Sequence, residues 1–333
     1  MKNLSAIRFT LIIIAALHFS ACSGRQDTGR QTHGETPSYV IAIHGGAGTL
    51  SRDRMTREQQ DEYTSKLNEA LEAGEDILRS GGTGLEAVRA AIMIMEDSPL
   101  FNAGKGAVFT NQLRVELDAS VMDGKTRNAG AIAGVTDIKN PILGAIAVME
   151  NSPHVMMAGS GASTFAAEQE LELVENSYFH TRRRLDAVKR QIDAEKQGTV
   201  GAVALDTHGN LAAGTSTGGM SNKRYGRIGD SPVIGAGTWA CNTTCAVSAT
   251  GHGEYFIRNV VSYDISALME YSGMSLEEAS NHVINNKLVE AGGTGGVVAV
   301  DRHGNVSMPF NTEGMYRGYI KSTGEKEILI FRD

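Results

Sequence analysis

Several large classes of protein are excluded by what this chain lacks. Its 333 residues include only three cysteines, so it is not a small fold stapled by many disulfides. No basic stretch extends beyond Arg182-Arg183-Arg184, and the formal charge is −7, which argues against nucleic acid as a partner. That Arg triplet lies in an acid-interleaved, helix-like segment and reads as a solvated helix face. His44, His208, His252 and His303 are scattered without metal-ligand spacing, and none reads as a zinc ligand. The run His44-Gly45-Gly46-Ala47-Gly48 has neither the Lys-Ser/Thr of a P-loop nor the spacing of a dinucleotide fingerprint, so it reads as a tight turn. The remainder is 41% hydrophobic, enough for one large or two small domains to bury a core unaided.

Residues 1–22 read as a removable signal: Lys2 and Arg8 supply a basic region, and Phe9 to Leu17 an apolar one. That run is well short of the roughly 20 residues needed to span a bilayer. Cys22, directly after Phe19-Ser20-Ala21, resembles the first mature residue of a bacterial lipoprotein, although Phe19 stands where Leu is usual. The expectation is export to the periplasm, or to the outer membrane as a lipoprotein. Residues 23–38 are polar and read as a tether. The two other cysteines, Cys241 and Cys245, flank Asn242-Thr243-Thr244, which reads as a turn between strands. An oxidising compartment and cross-turn placement lead to the expectation of a short-loop disulfide.

Along the chain, Tyr39 to Ile43 is an apolar run, hence a buried strand entering the glycine turn. Apolar positions recur at helical spacing from Gln59 to Arg79, and Gly81-Gly82 stop that helix. Thr83-Gly84-Leu85-Glu86 is a capping box for a helix reaching about Glu96, and Ser275-Leu276-Glu277-Glu278 is another, for a helix ending near Ala291. A strand–turn–strand segment, Val203 to Leu211, is echoed by Val298 to Val306. Strand hairpins separated by helix pairs, with strands apolar on both faces, predict two sheets covered by helices in a four-layer αββα stack. The segment Glu168–Gln197 is charged, has no evident apolar anchor and reads as a mobile connector.

That connector ends at Gly198-Thr199. Cleavage there would give Thr199 a free α-amine beside its own hydroxyl, an activated-nucleophile arrangement. An α-amino group titrates at about 7.7–8.0, close to the ideal for a general base near neutrality. Three further features follow: Thr217 in Thr215-Ser216-Thr217-Gly218-Gly219, Arg227 and Asp230 in Gly226-Arg227-Ile228-Gly229-Asp230, and Thr250-Gly251 in Ala249-Thr250-Gly251-His252-Gly253-Glu254. Taken singly, each is ordinary. A Ser/Thr/Gly run is usually a turn, and an Arg three residues before an Asp is usually a surface pair.

Together and in this order, they resemble the plant-type asparaginase and isoaspartyl peptidase family of N-terminal-nucleophile hydrolases. His44–Gly48, Pro99–Gly106, Glu116–Gly124 and Pro309–Tyr316 fit the same family, and the likeness runs from Tyr39 to Tyr319. The resemblance implies autocleavage at Gly198–Thr199, giving an α subunit (39–198) and a β subunit (199–333) of one domain, with two αβ units associating. It implies that Thr199 is the nucleophile, that Thr217 positions it, and that the Thr250 hydroxyl and Gly251 N–H form the oxyanion hole. Arg227 and Asp230 would grip the α-carboxylate and α-ammonium of L-asparagine or a β-aspartyl peptide. It further implies a structural sodium ion on main-chain carbonyls of the loop containing Met95, Glu96, Ser98, Phe101, Ala103 and Lys105; no cofactor is needed for the chemistry. Glycosylasparaginases usually carry Asp-Thr-Ile-Gly and Ser-Thr-Asn-Gly where this chain has Gly198-Thr199-Val200-Gly201 and Ser216-Thr217-Gly218-Gly219, which favours the asparaginase branch. Two alternatives remain: a glycosylasparaginase, and an uncleaved amino-acid-binding relative without activity. The role of His252 is left open.

Overall fold

The computed structural model describes residues 36–190 and 198–332. The expectations placed on residues 1–22, Cys22 included, and on most of the tether lie outside the described residues.

Twelve strands form two sheets among the described residues. The larger contains β1 (Val40–Gly48), β2 (Leu117–Asp123), β3 (Ala129–Val135), β4 (Met156–Ala158), β5 (Val200–Leu205), β6 (Leu211–Thr217), β11 (Gly314–Lys321) and β12 (Lys326–Phe331), in the order β12-β11-β1-β5-β6-β2-β3-β4. The smaller contains β7 (Thr238–Ala240), β8 (Cys245–Gly251), β9 (Gly295–Asp301) and β10 (Val306–Ser307), in the order β10-β9-β8-β7. All neighbours are antiparallel except β3 and β4.

Strand periodicity sorts the side chains into three cores. From β1, Ile41 and Ile43 face one layer while Val40 and Ala42 face the other. The first layer holds α1 (Arg57–Arg79), α2 (Gly84–Glu96), α3 (Pro141–Asn151) and α4 (Gly159–Glu168), whose apolar faces supply Leu67, Leu71, Val88, Ile92 and Ile142. The second core lies between the sheets, where Val203 and Leu205 meet Ala246, Val298 and Val300. On the far side of the small sheet, Val247, Ala249, Val297 and Ala299 pack with Phe256, Val261, Ile265 and Leu276, from α6 (Gly253–Asn259), α7 (Val261–Ser272) and α8 (Leu276–Asn281). Each fully buried aliphatic contributes roughly 1.5–3 kcal/mol. This is the four-layer αββα arrangement.

Local chemistry explains the helix ends. Thr83 and Ser275 make the expected capping boxes, and Thr56 with Gln59 makes a third, starting α1 two residues before the periodicity suggested. The repeated hairpins share one turn: Asp206 Oδ1 accepts from the N–H groups of His208 and Asn210, and Asp301 Oδ1 does the same for His303 and Asn305.

Three expectations need correction. The His44–Gly48 run is not a turn but the second half of β1, continuing past a bulge between His44 and Gly46. Its glycines are needed for close approach, not for reversal. The stretch after Glu168 is not a loose connector as far as Arg190. Asn176 bonds the carbonyls of Val115 and Thr136, Phe179 is fully buried, and Arg183 and Arg184 in α5 (Arg182–Arg190) reach Tyr63 and the Gly106 carbonyl. Arg182, its side chain 95% exposed, and Arg183 are the solvated members of that triplet, and Arg184 is half-buried. Finally, Cys241 and Cys245 are both free thiols. They stand directly opposite each other across the turn, the Cys241 N–H donating to the Cys245 carbonyl at 3.0 Å, yet the thiols are not joined, and Cys241 Sγ lies 3.1 Å from Thr243 Oγ1 instead.

Candidate active site

The junction Gly198-Thr199 sits where β5 begins, next to the ends of β1 and β6. Thr199 is 7% exposed. Its hydroxyl donates to Thr217 Oγ1 at 3.1 Å. Thr217 Oγ1 in turn donates to the Gly198 carbonyl at 3.1 Å and accepts from the Gly219 N–H at 2.9 Å. Both hydroxyls are thereby directed, and the lone pairs of Thr199 Oγ1 are left available. Asn102 Nδ2 also donates to the Gly198 carbonyl, at 2.6 Å, and to the Gly219 carbonyl, at 2.7 Å. Two donors therefore converge on the oxygen that would become negative if the Gly198 carbonyl were attacked.

Two glycines make this approach possible. Gly46 has φ +111°, and a Cβ there would fall 3.0 Å from the Gly198 Cα. A Cβ on Gly201 would lie 2.4 Å from His44 Nε2 and 1.9 Å from Ser248 Oγ. His44 is fully buried, and burial pushes its pKa down to about 3, so the ring is neutral. The Thr199 carbonyl, 3.0 Å from Nδ1, can only accept, which fixes the proton on Nδ1 and leaves Nε2 to accept from Ser248, 2.9 Å away. A chain of buried hydroxyls continues through Thr215, Thr238 and Ser120 to the carbonyl of Ser231. These hydroxyls, on adjacent strands of both sheets, pin the backbone of the candidate nucleophile.

On the other side of the cleft, Arg227 and Asp230 lie on the loop between β6 and β7. Lys223 anchors this loop, its buried Nζ 3.7 Å from Glu116 Oε2 and 4.0 Å from Asp118 Oδ2. Asp230 is buried, and its Oδ2 has no hydrogen-bond partner among the described residues. Burial pushes its pKa up to about 7, partly opposed by the Arg227 charge. Arg227 makes a bidentate pair with Glu254, Nε to Oε1 and Nη2 to Oε2, both at 2.9 Å. That pairing holds the Glu254 carboxyl below its usual range.

Gly198, Thr199, Thr217, Gly219, Arg227, Asp230 and Gly251 line one cleft. Thr250 stands just behind it, fully buried, with Oγ1 accepting from the Ala47 N–H at 3.3 Å, so its own proton is free to donate elsewhere. With Gly198 still attached, the space in the cleft is about 10 Å³, roughly one water. The structure thus brings together every residue that the motifs singled out at the nucleophile and the clamp. Asn102, His44, Ser248 and Glu254 were not found by motif reasoning. Asn102 lay within a quoted motif, and Glu254 lay three residues from Gly251, but nothing in their spacing gave them a partner.

The loop from Met95 to Gly106 closes on itself. The Met95 carbonyl accepts from Ser98 N–H and that of Ala103 from Gly106 N–H. A Cβ on Gly104 would lie 2.4 Å from the Glu96 carbonyl oxygen, and one on Gly106 2.1 Å from that of Phe101. Main-chain carbonyls packed this closely are uncharged oxygens of the kind that suit a hard monovalent cation. No cluster of three or more His, Cys, Asp or Glu side chains suited to a metal occurs among the described residues. The Glu96 side chain faces the other way, toward Ser216 Oγ at 2.6 Å and the Ile142 N–H, and burial pushes its pKa up to about 8.

Comparison with known proteins agrees with this geometry. The asparaginase family model (Asparaginase_2) matches residues 37–330. The chain belongs to the asparaginase family. It is 52% identical to an isoaspartyl peptidase of Escherichia coli, over 84% of this chain and 92% of that protein. It is 45% identical to a putative isoaspartyl peptidase/L-asparaginase of Dictyostelium discoideum, over 84% and 93%. Against the isoaspartyl peptidase/L-asparaginase of Homo sapiens the identity is 41%, over 80% and 87%. As an asparaginase-family hydrolase, the chain has its cleft at the end of the large sheet's central strands, with the loops that face it supplied by both sheets.

Proposed function

We propose that this asparaginase-family enzyme cuts itself at Gly198–Thr199. It then hydrolyses the side-chain amide of L-asparagine and β-aspartyl (isoaspartyl) dipeptides through an ester on Thr199. The observation that carries the reading is the Gly198 carbonyl, held at 2.6 Å by Asn102 and at 3.1 Å by Thr217, directly beside a hydroxyl with available lone pairs.

In maturation, Thr199 Oγ1 attacks the Gly198 carbonyl carbon, the C–N bond breaks, and nitrogen leaves as the α-amine. Water then hydrolyses the resulting ester, giving Gly198 a carboxylate and restoring the hydroxyl. In turnover, the α-amine accepts the hydroxyl proton as Oγ1 attacks the substrate amide. The tetrahedral oxyanion is met by the Thr250 hydroxyl and Gly251 N–H, donors of a kind worth about 2.7–4 kcal/mol each. Ammonia or an amine leaves carrying that proton, and water, deprotonated by the same amine, releases aspartate. The free Oδ2 of Asp230, buried in the cleft, fits the α-ammonium. Arg227 supplies the α-carboxylate partner.

A sodium ion on the carbonyls of Met95, Glu96, Ser98, Phe101, Ala103 and Lys105 would do no chemistry; it would stiffen the loop that carries Asn102. Export by residues 1–22, a lipid on Cys22, and association of two αβ units belong to the same proposal; they are supported by the signal-like sequence and the family resemblance. The glycosylasparaginase alternative is disfavoured by the Gly198-Thr199-Val200-Gly201 motif. The uncleaved binding-protein alternative is disfavoured by the intact Thr199–Thr217–Gly198 geometry.

Side-by-side turnover of L-asparagine, β-aspartyl-leucine and GlcNAc-asparagine by purified protein tests the reading. Hydrolysis of the first two with little of the third is expected. Preferential cleavage of GlcNAc-asparagine would overturn it.

A further inference from the structure

The guanidinium of Arg227 does not stand alone beside the cleft. It is carried by a loop whose residues Asn222, Tyr225 and Gly226 all have positive φ, and no strand holds the chain between Thr217 and Thr238. A long cationic side chain on such a loop has considerable rotamer freedom to lose on binding. Glu254, on the first turn of α6, removes that freedom beforehand through two parallel hydrogen bonds at 2.9 Å.

The pair uses only the Nε/Nη2 edge. Nη1 donates to no protein group among the described residues and lies on the cleft side: a Cβ on Gly229, a cleft-lining residue, would fall 2.8 Å from it. A Cβ on Gly253 would fall 2.8 Å from Arg227 Nη2 and 2.9 Å from Asp230 Oδ1, so both clamp residues meet over the residue just before Glu254. The same Glu254 Oε2 is 3.4 Å from His252 Nε2. The five residues Thr250 to Glu254 thus serve both halves of the reaction.

We infer that Glu254 is the positioning residue of the substrate clamp, fixing the plane of Arg227 so that its free edge meets an α-carboxylate, with His252 beside the Oε2 that Arg227 and Glu254 share. The inference rests on reading Arg227 and Asp230 as the clamp. Glu254 also cancels the guanidinium charge locally, so the clamp suits a zwitterionic α-amino acid end better than a bare anion.

Steady-state kinetics with L-asparagine on self-cleaved protein test this, comparing Glu254→Ala, Glu254→Gln, Arg227→Ala and the Arg227→Ala/Glu254→Ala double variant. Complete maturation of each variant on a denaturing gel reports correct folding, since Glu254 makes no contact with Gly198 or Thr199. Glu254→Ala should raise KM about 10-fold with kcat within about 2-fold, because it removes preorganisation rather than chemistry. Glu254→Gln, which keeps one acceptor oxygen, should raise KM less. In the double variant, loss of Glu254 should add nothing to the effect of losing Arg227. An unchanged KM in Glu254→Ala, or a double variant as weak as the product of the two single effects, would overturn the inference while leaving the clamp intact. An Arg227→Ala enzyme with wild-type KM would overturn the clamp reading and this inference together.

Discussion

The two sides of the cleft are built differently. The nucleophile side rests on β1, β5, β6 and β8, and its polar groups are neutral, buried and joined by hydrogen bonds: His44 and Ser248 are fully buried, and Thr199 and Thr217 nearly so. The clamp side is a loop held by ions, with Lys223 against Glu116 and Asp118, and Arg227 against Glu254. Glu254 is itself 45% exposed. The chemistry sits where the backbone cannot move, and recognition sits where charge can be matched to a ligand. Damage to the first side should appear in kcat and maturation, and damage to the second in KM.

Substitutions sharpen that contrast. The largest effect is expected from Thr199→Ala, which should leave one uncut chain on a denaturing gel and no measurable turnover. His44→Ala should come next: with the Thr199 carbonyl and Ser248 both losing a partner, maturation slows and kcat falls 10-fold or more at similar KM. Stability should drop by about 1–3 kcal/mol in urea unfolding. Arg227→Ala should mature normally and raise KM for L-asparagine by roughly 10- to 100-fold, the scale of a lost charge-assisted pair. If Arg227→Ala blocks maturation, or His44→Ala acts on KM alone, the contrast is broken.

A pH series separates the two sides more gently. Asp230 must be ionised to accept an ammonium, and burial has raised its pKa to about 7. KM for L-asparagine should therefore fall as pH rises through about 7 and then level, while kcat follows the Thr199 α-amine, expected near 7.7–8.0. For stability the sign is opposite. The folded state binds the Asp230 proton more tightly than the unfolded one, so this residue's contribution is full below about 4 and is lost as pH rises toward about 7. The smallest effect concerns Cys241 and Cys245: unreduced, denatured protein should label at both thiols, and a labelled pair missing from the mass spectrum would restore the disulfide.

Much of this was legible in the sequence because it depends on local pattern. Capping boxes at Thr83 and Ser275, the twin hairpins at Asp206 and Asp301, and strands apolar on both faces all point to layered sheets, and the layers follow. The nucleophile and clamp residues stood out through motif order. What escaped depends on contacts across long stretches of chain. His44 touches Ser248, and Asn102 touches Gly198, only after β1 has been laid between β5 and β11. The glycines after His44 suggested a turn because a bulged, close-packed strand and a reversal use the same residue. The cysteines misled because cross-turn placement brings two residues into register without turning both thiols toward each other, and Arg184 looked solvated until the Gly106 carbonyl arrived from elsewhere.

The most direct test of self-cleavage is N-terminal sequencing of freshly purified, active protein together with its intact mass. A second polypeptide beginning Thr199-Val200-Gly201 is predicted, with L-asparagine hydrolysis rising in step with its abundance. Full activity in a chain still continuous through Gly198 and Thr199 would contradict the account.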